Sequence, residues 1–97
     1  MSASLSTHVL DASRGRPAVG VRVEVYRDGG LVAAGETGED GRIANLASEL
    51  AGGVYRLVFH PDSPFFARVE LEISLEAGHY HVPLIVSPYS CTIYRGS

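Results

Sequence analysis

The segment His79-Tyr80-His81-Val82-Pro83-Leu84-Ile85 holds the most suggestive chemistry in the chain. On an extended strand successive side chains alternate between faces, so residues 79, 81, 83 and 85 share one face and two imidazoles project side by side. Imidazole titrates near ~6.5, so it can take or give a proton around neutral pH. Joined by a third histidine, a strand His-x-His pair can also build a tetrahedral zinc site with an open position. The third candidate is His8, in Ser6-Thr7-His8-Val9-Leu10-Asp11, where alternation sends Ser6, His8 and Leu10 to one face and Thr7, Val9 and Asp11 to the other. Alone, His8 reads as a packed or surface residue, and the pair at 79 and 81 also has a purely structural reading. Carboxylates and thiolates are not grouped near these histidines, which weighs against a metal, and no cofactor is expected. Cys91 sits between Ser90 and Thr92, without the electropositive flanks that activate a thiol, and reads as packed and inert. Tyr94-Arg95-Gly96-Ser97 lies in what reads as a strand, which gives its guanidinium and hydroxyl groups defined positions. The plainer reading is an arginine lying along a strand end.

Composition narrows the field around these residues. The chain has 97 residues, of which 45% are apolar and 20% charged, well away from the composition of a disordered segment. That length allows one domain, spanning residues 1–97, with one core and no deep cavity of its own, so a catalytic pocket is expected to be shared between subunits. A net charge of -3 lacks the basic face of a nucleic-acid binder. All eight basic residues are arginine, which excludes a Schiff-base or phosphate-loop lysine and leaves planar forks suited to carboxylates and polarised carbonyls. One cysteine, no apolar run of membrane-spanning length and no signal-like start point to a cytoplasmic protein with no membrane partner.

Strands must position the candidates. Apolar residues recur at every second place in Val21-Val23-Val25 and Val69-Leu71-Ile73-Leu75. Further strands are expected at Leu5 to Leu10, Leu31 to Thr37, Val54 to His60, His79 to Ser87 and Tyr89 to Arg95. Between them lie turns such as Asp28-Gly29-Gly30, Glu39-Asp40-Gly41 and His60-Pro61-Asp62-Ser63-Pro64. Only Ala47 to Ala51, capped by Asn45, offers a helical turn. Seven to eight short strands without crossover helices predict an all-β sandwich of two packed antiparallel sheets.

Taken in order, Ser6-Thr7-His8-Val9-Leu10-Asp11, Gly15-Arg16-Pro17-Ala18, Asp40-Gly41-Arg42, His79-Tyr80-His81-Val82-Pro83-Leu84, Ser87-Pro88-Tyr89 and Tyr94-Arg95-Gly96-Ser97 resemble the transthyretin-related family of 5-hydroxyisourate hydrolases. The resemblance runs through essentially the whole chain. It implies a transthyretin-like (prealbumin) sandwich, assembled as a homotetramer, a dimer of dimers with active sites in a channel between dimers. It implies 5-hydroxyisourate as the small-molecule substrate, with His8, Arg42 and His81 catalytic and Arg42, Tyr94, Arg95, Gly96 and Ser97 binding substrate. Pro61 to Phe65 is too short for the helix that usually links the middle strands of this family, so that helix is expected to be missing. Ser90-Cys91-Thr92-Ile93 departs from the family's usual residues, with Cys91 and Ile93 expected to face the core and Thr92 and Tyr94 the channel. Competing readings are a small-ligand carrier using the same channel without chemistry, a zinc hydrolase using His8, His79 and His81, and a plain interaction domain.

Overall fold

Residues 2–96 are described in a computed structural model and form ten strand segments: β1 (Ala3–Asp11), β2 (Arg16–Pro17), β3 (Arg22–Arg27), β4 (Gly30–Glu36), β5 (Arg42–Leu50), β6 (Gly53–His60), β7 (Val69–Leu75), β8 (Gly78–His81), β9 (Leu84–Ser87) and β10 (Ser90–Ile93). The smaller sheet is antiparallel in the order β4-β3-β6-β7. Its inward residues Val23, Val25, Leu57 and Phe59 are fully buried. The larger sheet is organised on β1, which pairs with β5 and β2 in antiparallel sense and with β8 and β9 in parallel sense, while β10 closes onto β9.

Strand β1 shows how burial aims the polar face. Ala3, Leu5, Thr7 and Val9 are buried on its inner side, leaving Ser4, Ser6 and His8 on the outer side. Burying a leucine such as Leu5 contributes about 1.5–3 kcal/mol, whereas a one-residue slip would turn every inner side chain outward. The inward polar residue is satisfied, since the Thr7 hydroxyl donates to the Val82 carbonyl at 2.6 Å.

The two-sheet sandwich agrees with the pattern read from sequence, and no helix forms among the described residues, including the Pro61 to Phe65 stretch. Three expectations fail in detail. Ala47 to Ala51 is not a helical turn, because most of it belongs to β5, whose register against β1 shifts twice, between Ala3/Leu5 and Leu5/Thr7. Those bulges bury Leu46 and Ala47 consecutively and put Glu49 at a φ of 54°, which erases the period-two signal. The expected strand from His79 to Ser87 divides at Val82 and Pro83, where proline has no N–H for the ladder. Finally, β8 and β9 run parallel to β1, because the chain returns over the opposite sheet rather than through a helix. No helix is long and apolar enough to cross a membrane.

Candidate active site

The site is read off the register of the larger sheet. His8 lies opposite Arg42 across β1 and β5, and Ser6 lies opposite His81 across β1 and β8. Opposed residues share a face with Cβ atoms about 4.5–5.5 Å apart, and Ser6 and His8 share the outer face of β1. Residues 8, 42 and 81 therefore meet on one outward surface, with His8 and His81 half-buried and Arg42 exposed. None of the ion pairs found among the described residues involves these three side chains.

A tight turn aims Arg42 and His8. Gly41 has a φ of 75°, and a Cβ there would stand 2.5 Å from the Val9 carbonyl oxygen, so only glycine fits. The Asp40 carboxylate accepts the Arg42 backbone N–H at 3.0 Å, fixing the start of β5. His8 Nε2 lies 2.9 Å from the Asp40 carbonyl oxygen. A carbonyl only accepts, so Nε2 carries the hydrogen and the neutral ring presents its lone pair at Nδ1.

His81 is held differently. The Ser6 hydroxyl lies 2.8 Å from His81 Nδ1 and 2.8 Å from His79 Nε2, and the Ser4 hydroxyl lies 2.7 Å from His79 Nδ1. Burial pushes the His81 pKa below the usual 6.5, and the Arg42 charge, with those of His8 and His79 whenever they are protonated, pushes it the same way. Near neutral pH the ring is therefore a neutral acceptor beside a permanent cation. Ser4 and Ser6 went unrecognised as site residues in the sequence, although the alternation that places Ser6 beside His8 was legible. The bridge to His79 and His81 depends on the parallel pairing of β1 and β8, for which the sequence carries no local signal.

The C-terminal segment is only partly assembled with this cluster. Strand β10 ends at Ile93 rather than running on to Arg95, and Tyr94 is 47% exposed. The Arg95 guanidinium lies over the Tyr80 ring, 4.2 Å from its centroid. Tyr80 packs against the core, on the opposite side of β8 from His79 and His81, so within one chain Arg95 is not brought to the cluster. Tyr94 and Arg95 instead border an apolar cavity of about 370 Å³ between the sheet edges, with Leu71, Ile73, Tyr80 and Ile93. Gly96 does reach the site: its N–H donates to the His81 carbonyl at 2.7 Å, and a Cβ on it would stand 2.7 Å from His81 Cδ2. Ser97 lies outside the described residues. Cys91 and Ile93 pack against the core and Thr92 is exposed, as their alternation predicts. Among the described residues no group of three or more His, Cys, Asp and Glu is arranged to hold a metal ion.

Comparison with known proteins adds to this geometry. The sequence pattern that defines the HIUase/transthyretin family matches residues 5–96. A protein of Rhizobium meliloti named 5-hydroxyisourate hydrolase 2 is 40% identical, over 99% of this chain and 98% of its own. One from Deinococcus radiodurans, named 5-hydroxyisourate hydrolase, is 41% identical over 96% of this chain and 95% of its own. The solved structure of Klebsiella pneumoniae 5-hydroxyisourate hydrolase superposes with a TM-score of 0.90 at 34% identity, covering 98% of this chain and 99% of that one.

Proposed function

Since the chain belongs to the HIUase/transthyretin family, we propose that it hydrolyses 5-hydroxyisourate to 2-oxo-4-hydroxy-4-carboxy-5-ureidoimidazoline, a step in urate and purine breakdown. The observation that carries this reading is the meeting of His8, Arg42 and His81 on one outward surface despite their separation in sequence. Opening the ring amide requires a water made nucleophilic, a donor for the developing oxyanion and a proton for the leaving nitrogen. A neutral imidazole takes the proton as the water oxygen bonds to the carbonyl carbon. The C–N bond then breaks and its nitrogen is protonated, leaving a carboxylate. Arg42, exposed and without an ion pair among the described residues, presents its fork to the carbonyl oxygen and offsets the charge that gathers there.

In a single chain this surface is open, so the enclosed site is a shared one. The assembly that fits is a homotetramer, a dimer of dimers, with Tyr94, Arg95, Gly96 and Ser97 shaping a channel between dimers in the cytoplasmic enzyme. The reading requires no metal. Freshly made 5-hydroxyisourate, followed by its absorbance decay in a chelator-treated preparation, should disappear faster with protein than in buffer. A decay no faster than buffer would reject the hydrolase, and activity lost with the chelator and restored by zinc would replace it with a metal-dependent one.

A further inference from the structure

The hydrogen-bonded row Ser4, His79, Ser6, His81 is more than the proposed reaction uses. The Ser6 hydroxyl has one hydrogen and lies 2.8 Å from a nitrogen of each imidazole, so it can donate to only one ring and at least one ring must donate to it. The two rings therefore cannot choose tautomers independently. If Ser6 donates to His79 Nε2, then His81 donates from Nδ1, His79 Nδ1 donates to Ser4, and His81 Nε2 is left with a lone pair. If every hydrogen bond in the row reverses, His81 Nε2 carries the hydrogen instead.

We propose that Ser6 and His79 form a proton relay that holds His81 in its Nδ1–H tautomer, making Nε2 the base and moving the proton it takes out to the exposed His79. The inference rests on the hydrolase reading for its chemistry and on the hydrogen-bonded row for its geometry. The steps balance. Water gives a proton to His81 Nε2, the Nδ1 proton passes to Ser6 Oγ, and the Ser6 proton passes to His79 Nε2. His81 is neutral again and the positive charge rests on His79, whose Nδ1 proton leaves through Ser4 to solvent. As the C–N bond breaks, His81 Nε2 gives its proton to the leaving nitrogen, and a solvent proton returns through Ser4 and the row to restore the starting tautomers. The product's carboxylic acid ionises to release the one proton set free overall. The direction is physically favoured. His81 is half-buried and faces the permanent charge of Arg42 on β5, beside the titratable rings of His8 on β1 and His79 on its own strand, whereas His79 is exposed. His79 does not touch the reacting atoms in this scheme and is a positioning residue.

The test joins a measurement free of substrate to a kinetic one, both on the full chain. Nitrogen-15 NMR of the resting protein should find His81 protonated at Nδ1, and Ser6→Ala should abolish that preference while Ser6→Thr, which keeps the hydroxyl, retains it. His79→Phe should lower kcat about 10-fold with KM changed less than about 2-fold, and His79→Gln, which still accepts from Ser6, should recover part of the loss. A resting His81 protonated at Nε2, or a His79→Phe variant with undiminished kcat, would overturn the relay. Wild-type protein inert toward 5-hydroxyisourate would instead sink the hydrolase reading, and the tautomer measurement would still judge the row.

Discussion

The outer faces of the two sheets carry the same residue types in opposite electrostatic states. On the smaller sheet, His60 Nε2 donates to a Glu24 carboxylate oxygen at 2.7 Å, and Arg56 and Arg68 each reach Glu70 at 2.7 Å. Every cation there has an anion, and the carboxylates titrate low: Glu24 because of its hydrogen bond from His60 and Glu70 because of its hydrogen bond from Arg68. On the larger sheet, His81 meets a serine hydroxyl and neighbouring cations, and Arg42 has no ion pair among the described residues. A paired cation is already neutralised and has little left to give a ligand, whereas an unpaired one attracts an incoming carbonyl or anion. Histidine on a strand is thus a donor to a carboxylate in one place and a poised acceptor in the other, and the neighbouring strand decides which.

The largest effect that would break this contrast comes from substituting equivalent residues on the two faces. Arg42→Ala and His81→Ala should each lower kcat/KM toward 5-hydroxyisourate by about 100-fold or more. Arg56→Ala and His60→Ala should leave it within about 2-fold, since exposed ion pairs hold little of the stability and none of the site. Equal losses on both faces would mean that the assembly, rather than the His/Arg surface, sets the rate.

A smaller effect sharpens the role of the C-terminal segment. Gly96→Ala places a methyl 2.7 Å from His81 Cδ2, and either the ring or the Gly96 bridge must give way. Activity should fall about 10-fold while the melting temperature moves by only about 2 °C, because Gly96 contributes nothing to the buried core. Unchanged activity would show that the ring tolerates the shift.

The smallest effect is a difference between the faces in pH response. His81 binds its proton more weakly folded than unfolded, so the unfolded chain gains protons first as pH falls below 6.5, and stability declines from there until the lowered native value is reached. The contribution of Glu24 and Glu70 is complete above 4.5 and is lost as pH falls through their lowered native values. Melting temperatures from pH 7 downward should therefore show two declines, the first removed by His81→Asn and the second weakened by Glu24→Gln. The acidic limb of kcat/KM, which reports the free enzyme, should also lie below 6.5, following His81. A first decline that survives His81→Asn would show that another group titrates there.

Much of this was legible in the chain itself. Alternation in β3 and β7 is strict because each presents one face to the core and one to water. The same rule put Ser6 and His8 on one face together, and placed Cys91 and Ile93 inward. Strand β5 was hidden because its two bulges against β1 bury neighbouring rather than alternate residues, and a bulge is a property of the pair of strands. Arg95 shows the same limit: its type is plain in the sequence, but its place over Tyr80 depends on the chain leaving β10 at Ile93.

The sequence by itself determined the two-sheet architecture, the shared faces of Ser6 with His8 and of His79 with His81, and the family, because each follows from residue type and spacing along the chain. Only the tertiary structure decided that Ser6 stands between two imidazoles, that Arg42 lies across from His8, and that Gly96 closes onto His81. These depend on register between strands distant in the chain, and that register is set by the burial of opposite faces, which no local segment encodes.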